Sequence, residues 1–239
     1  MIDLPLTPLA DALAYARETL PSVVNLGRTG DERDLYDVIE RLTEGVQATR
    51  PESKCGAGCS GCCALHKAIF RIFRSEWDVV HDHLLEAWDP TRLARFIDRF
   101  WEVTGPYLPL LDDIQARMDQ GERVKPDVAD LPVDCAFLED GLCGVYPARA
   151  AICRGFGYFQ LRPDDGRPLE IYACNMQREA LAPEAGEPRP KLPVFNTLYS
   201  RVEDLCDGDR KLLIPLWIAR TFPRLPQAGS GNMGISKDV

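Results

Sequence analysis

The sequence predicts a mainly α-helical protein: a helical scaffold around irregular cysteine-rich loops, with one small β-hairpin. Three observations predict it. Apolar residues recur at steps of three and four through much of the chain. Stretches rich in Cys and Gly interrupt those segments. Only around residues 156–173 does the pattern become strand, turn, strand.

Thr7-Pro8 reads as an N-cap followed by proline at the first helical position, opening a helix that runs to Leu20. A second helix, with Asp31 as its cap, carries Leu35, Val38, Ile39, Leu42 and Val46 in one stripe. Residues 51–63 are too rich in Cys and Gly for regular structure. Ser75 is the expected cap of a third helix, with Trp77, Val80, Leu84, Leu85 and Trp88 on one face. Asp89-Pro90 opens a fourth, carrying Leu93, Phe96, Ile97, Phe100 and Trp101, and Gly105-Pro106 ends it. A further helix spans Leu108 to Met118, and residues 121–134, with Pro126 and Pro132, read as extended loop.

Phe156 to Leu161 and Leu169 to Ala173 read as two short strands, joined by a turn containing Pro163 and Gly166. A proline-rich loop over 183–193 precedes two helices, at 195–206 and 209–221. The tail from Pro223 is rich in Gly, Ser and Pro and is expected to be disordered. The organisation is therefore one metal-binding domain over 1–222 and a tail over 223–239, with no internal repeat.

Composition narrows the function. Hydrophobic residues make up 45% and charged residues 27%, as in ordinary globular proteins. A net charge of −9 gives no basic footprint for nucleic acid and disfavours anionic membranes. Residues 1–7 have neither a basic n-region nor an apolar h-region, so no secretory signal is expected. The longest strongly apolar run, Leu212 to Ala219, contains Pro215 and is too short to span a bilayer. The expectation is a cytoplasmic protein.

In a reducing compartment, nine cysteines read as metal binding or redox chemistry; after export they would read as four disulfides and a spare. Cys55, Cys59, Cys62 and Cys63 fall within nine residues, at spacings that follow neither the helix nor the strand period, so buried packing does not explain them. Thiolates suit zinc, copper(I) and iron–sulphur clusters. Small residues between them let backbone N–H groups approach the sulphurs. In an extended backbone, adjacent Cys62 and Cys63 would point to opposite faces, so one serves a first centre while the other serves a second or packs inward.

Cys135, Cys143, Cys153 and Cys174 form a second, looser group. Together the groups supply eight candidate thiolates, enough for two four-cysteine sites. Cys206 follows a helical stripe with Leu198, Val202 and Leu205 and reads as core. Four thiolates on zinc or on a [4Fe–4S] core leave a net negative charge, and a buried anion needs partners. Arg149 and Arg154, beside Cys153, are the candidate partners.

These segments resemble the CxxCxxCC zinc- or iron-chelating domain proteins. The matching residues are Cys59, Cys62 and Cys63; Cys135-Ala-Phe-Leu138; Cys143-Gly-Val-Tyr146; and Arg149 through Cys153 and Arg154. The resemblance covers roughly 55–160. Two departures stand out: three residues separate Cys55 from Cys59, and Ala150 replaces the family's usual proline. Flagellin lysine N-methylases are similar in carrying related segments, which implies a modifying activity as one reading. The family's own metal is open between zinc and iron.

Other motifs carry less. Cys55-x₃-Cys59-x₂-Cys62 matches the cysteine motif of radical S-adenosylmethionine enzymes, but the alternating strands and helices of a barrel are missing. His81 and His83 share no helical face. His66 is the better nitrogen ligand. Three functions compete: an iron–sulphur protein, [4Fe–4S] first, for redox or electron transfer; a zinc module that shapes loops for a protein partner; and a cluster-dependent protein-modifying enzyme.

Overall fold

The computed structural model describes residues 8–224, apart from 28, 32, 57, 66–69, 123, 125–130, 164–165 and 183–191. The Thr7 cap, His66, most of the proline-rich loop and most of the tail lie outside the described residues.

The chain is mainly α-helical. Among the described residues, ten α-helices carry the fold, with three two-stranded antiparallel ladders. Helices α1 (Pro8–Thr19) and α2 (Leu35–Thr49) pack against each other. All five stripe residues of α2 are buried, and burying each contributes roughly 1.5–3 kcal/mol. Asp34, not Asp31, stands at the N-cap of α2. Its carboxylate accepts the Thr29 N–H at 2.9 Å, whereas Asp31 is engaged by Arg33.

A short helix α3 (Gly61–Leu65) follows. Strand β1 (Arg71–Phe73) then leads into α4 (Arg74–Ala87). Ser75 lies inside α4 and its hydroxyl donates to Asp209 at 2.6 Å. Phe73 occupies the cap position. Having no side-chain acceptor, it supports only the reciprocal half of a capping box, in which Glu76 accepts the Phe73 N–H at 3.1 Å. Leu85, expected inside, is 55% exposed. Helix α5 (Pro90–Val103) opens as expected, with the Asp89 carboxylate accepting the N–H groups of Thr91 and Arg92 at 2.9 and 3.0 Å. Helix α6 (Leu108–Asp119) completes this half.

Beyond it come the hairpin β2 (Leu138–Glu139) and β3 (Leu142–Cys143), helix α7 (Ala151–Gly155), and the paired strands β4 (Phe159–Leu161) and β5 (Glu170–Tyr172). Helices α8 (Asn175–Ala180) and α9 (Phe195–Leu205) follow. The helix expected over 209–221 is split. Lys211–Leu213 is strand β6, paired with β1, and only Ile214–Thr221 is helical, as α10. Gln115 guides that strand, accepting the Leu213 N–H at 2.8 Å and donating to the Lys211 carbonyl at 3.1 Å.

Two hydrophobic cores result. One gathers α4, α5, α6 and α10 with residues 131–145, around Trp77 stacked on Trp217 and Phe96 stacked on Phe137. The other gathers α1, α2, α7, α9 and β4 around Ile39, Phe159 and Val202. The cores meet where neighbouring residues face opposite ways: Ile72 and Ala150 belong to the first, Phe73 and Ala151 to the second.

Candidate metal centre

Cys55, Cys59, Cys62, Cys63, Cys135, Cys143, Cys153 and Cys174 all line one pocket at the junction of the two cores. Separate segments bring them there. Cys55 and Cys59 come from the loop after α2, Cys62 and Cys63 from α3, and Cys135 from the strand-free run before β2. Cys143 lies on β3, Cys153 on α7, and Cys174 at the N-cap of α8. Cys206 is buried in the second core and is not part of the pocket lining.

Amide side chains fasten the first group. Gln177 is fully buried, accepting the Lys54 N–H at 2.6 Å and donating to the Ser53 hydroxyl at 2.6 Å and the Gly157 carbonyl at 2.9 Å. It thereby ties α8, β4 and the Cys55 loop together. Gln47 donates to the Cys55 carbonyl at 3.1 Å and to the Tyr158 hydroxyl at 3.0 Å. Gly157 has φ +99°, and a Cβ there would lie 2.3 Å from the Cys55 sulphur, so only glycine fits. A Cβ on Gly61 would sit 3.4 Å from the Cys174 sulphur and 3.8 Å from that of Cys59.

Backbone geometry fastens the second group. The Cys135 N–H donates to the Cys63 carbonyl at 3.0 Å, joining the two cysteine groups directly. The Leu138 N–H donates to the Cys135 carbonyl at 2.8 Å, and Leu138 pairs with Cys143 across the hairpin. The turn residues Asp140 and Gly141 both have positive φ, the geometry of a two-residue hairpin. Glu76, fully buried, accepts the Ala151 N–H at 2.9 Å and so anchors the start of α7, which carries Cys153.

Cys62 and Cys63 correct an expectation. They lie in a helical turn, not an extended backbone, and their sulphurs are 3.9 Å apart. Their neighbours overlap, since both lie near Cys143 and Cys153, but are not identical. Cys63 contacts the Cys135 thiol, whereas Cys55 has Cys59, Cys174 and Cys62 as its thiol neighbours.

Burial and crowding favour the neutral thiol at Cys55, Cys62, Cys63, Cys143 and Cys153. Burial, then neighbouring thiols, pushes Cys55 up to about 12. The hydrogen bond with Cys135 chiefly, and burial, push Cys63 up to about 12. Contact with Cys63, then burial, raises Cys62, and burial raises Cys143 and Cys153. Crowded thiolates need compensating positive charge. Among the described residues, no three His, Cys, Asp or Glu side chains converge tightly enough to hold a single ion.

The arginines divide. Arg149 lines the pocket, lies over the Tyr146 ring at 3.8 Å and donates to Glu40 at 3.2 Å, while its buried Nε has no hydrogen-bond partner. Arg154, expected as a charge partner of the centre, does not line the pocket, yet its charge reaches Cys143 and favours the thiolate there. Its guanidinium is engaged by Glu40, by the carbonyls of Arg149 and Pro147 at 2.7 and 2.6 Å, and by the Tyr36 ring at 4.3 Å. It braces the loop preceding Cys153 against α2.

Sequence reading missed Gln47, Gln177, Glu76 and Glu40. Of these, Gln177 had a signal, since it stands three residues after the helix-capping Cys174, where a Gln side chain reaches backwards. No family model, no curated protein and no solved structure matches the chain. The resemblance to the CxxCxxCC proteins rests on the cysteine and arginine segments themselves.

Proposed function

We propose that this protein binds an iron–sulphur centre through the thiolates of Cys55, Cys59, Cys62, Cys63, Cys135, Cys143, Cys153 and Cys174, and serves in electron transfer. One observation carries the reading: eight cysteines from six separate segments line a single pocket, while the ninth packs in a core. The donor set suits the group. Soft thiolates favour iron–sulphur and zinc, and the unpartnered Arg149 Nε offers a buried donor to a negative centre. Since no three of the described side chains converge on a single ion, the donor set suits a polynuclear centre, in which inorganic sulphide separates the thiolates. Such a centre supplies one-electron exchange. The residues around it hold the loops, exclude water and donate hydrogen bonds.

A zinc reading has one distance in its favour. The 3.9 Å between the Cys62 and Cys63 sulphurs is near the roughly 3.8 Å separation of two thiolates on a tetrahedral ion with bonds of about 2.3 Å. Metal analysis and a visible spectrum of anaerobically purified protein separate the two. Iron, acid-labile sulphide and broad visible absorption are expected. Colourless protein with stoichiometric zinc would overturn the iron reading.

A further inference from the structure

We infer that the pocket contains two metal centres set back to back across the Cys62-Cys63 turn: one held by Cys55, Cys59, Cys62 and Cys174, the other by Cys63, Cys135, Cys143 and Cys153. This rests on the iron–sulphur reading and goes beyond it by assigning each cysteine to a centre.

The geometry divides the sulphurs in this way. Cys59 and Cys174 converge on one side of α3, each within 4 Å of the position a Gly61 Cβ would take. Cys55 is held on that side by Gln47 and Gln177 and stands against Gly157. On the other side, the hydrogen bond from the Cys135 N–H to the Cys63 carbonyl brings Cys63 to the hairpin that carries Cys143. Cys153 has Cys143 and Cys63 among its thiol neighbours and is positioned by the Glu76 anchor on α7. Cys62 also approaches Cys143 and Cys153, which makes it the link between the sets. It is assigned to the first set because Cys55, Cys59 and Cys174 otherwise supply only three thiols, and because it is Cys63 whose carbonyl accepts the Cys135 N–H.

Ligand count supports the division. A single centre takes four thiolates, which would leave four of the eight pocket cysteines without a role at it. Two centres use every thiol. Their ligands meet at the Cys62 and Cys63 sulphurs, 3.9 Å apart, so the centres are magnetically and electronically close.

The test compares wild type with two double variants, Cys59→Ser/Cys174→Ser and Cys135→Ser/Cys153→Ser, all purified anaerobically as the full chain. Iron and sulphide per chain are measured, and electron paramagnetic resonance spectra are taken after full reduction. Wild type should carry about eight iron per chain, two [4Fe–4S] centres, and show a spin-coupled spectrum. Each double variant should keep about half the iron and show an uncoupled spectrum. About four iron in wild type with an uncoupled signal would overturn the two-centre assignment and leave the iron–sulphur reading standing. No iron in wild type would overturn both. If a variant fails to fold, the wild-type stoichiometry and coupling still decide the number of centres. Near-complete iron in either folded variant would overturn the ligand sets.

Discussion

Cys62, Cys153 and Cys206 are the same chemical group in different surroundings. Cys62 and Cys153 face other thiols in a shared pocket, while Cys206 lies against apolar neighbours of α9 and behaves as a small hydrophobe. Serine preserves size but is a poor ligand for a soft metal. Cys62→Ser and Cys153→Ser should each lose metal from at least one centre, with iron per protein falling by half or more. Cys206→Ser should keep wild-type occupancy, although a hydroxyl buried there lowers the melting temperature. Full occupancy in Cys62→Ser, or loss in Cys206→Ser, would mean that the ligand set is drawn wrongly.

At the scale of elements, the site depends on how closely backbones approach one another. Gly157 lets the turn between α7 and β4 pass against the Cys55 loop, with φ +99° and no room for a Cβ. Gly121, at the end of α6, shares a positive φ but has nothing within 4 Å of its Cβ position. The two glycines therefore separate backbone strain from displacement of a ligand. Gly157→Ala should destabilise the protein by about 1–3 kcal/mol and also lower metal occupancy, because the Cys55 sulphur must move. Gly121→Ala should destabilise without loss of metal. Urea titration with parallel iron assays checks both, and equal metal loss in the two variants would remove Gly157 from any role at the site.

Across the whole molecule, two kinds of stabilisation meet at the pocket. The helices bury their own apolar faces in two cores, as with Val38 and Ile39 of α2 or Phe96 and Phe100 of α5. The loops over 53–63 and 135–150 have little regular structure, and a bound metal would cross-link them. Structural metal binding contributes roughly 10–16 kcal/mol in small peptide systems. Chelation should therefore lower the melting temperature and increase proteolysis within those loops while far-UV circular dichroism keeps much of its helical signal. Unchanged melting after complete removal of metal would count against a structural contribution.

The sequence by itself determined most helices. Their apolar stripes repeat at the helical period, and a local signal such as Asp89-Pro90 opens α5 as its chemistry requires. It also named the cysteines that line the pocket, Cys55 to Cys63 because their spacing fits no packing period and Cys135, Cys143, Cys153 and Cys174 because they bring the thiols to eight, and it separated Cys206, because its spacing is helical. Where hydrogen-bonding partners are distant in sequence, local pattern was silent. Lys211–Leu213 looks helical until Arg71–Phe73 lies beside it, and the β2–β3 hairpin escaped notice although Asp140-Gly141 is its turn signal.

Only the tertiary structure decided which groups serve the pocket and which serve its frame. Arg149 and Arg154 look equivalent in sequence and both reach Glu40 of α2, yet two backbone carbonyls take up the Arg154 guanidinium while Arg149 lines the pocket. Cys62 and Cys63, adjacent in the chain, share Cys143 and Cys153 as thiol neighbours, and in addition Cys63 meets Cys135 and Cys62 meets Cys55, all brought there from far along the sequence or from the preceding loop. Periodicity reports which face of an element is apolar. It carries no information about which distant polar group will reach a given donor, and that pairing is fixed only when the two cores close on the junction between them.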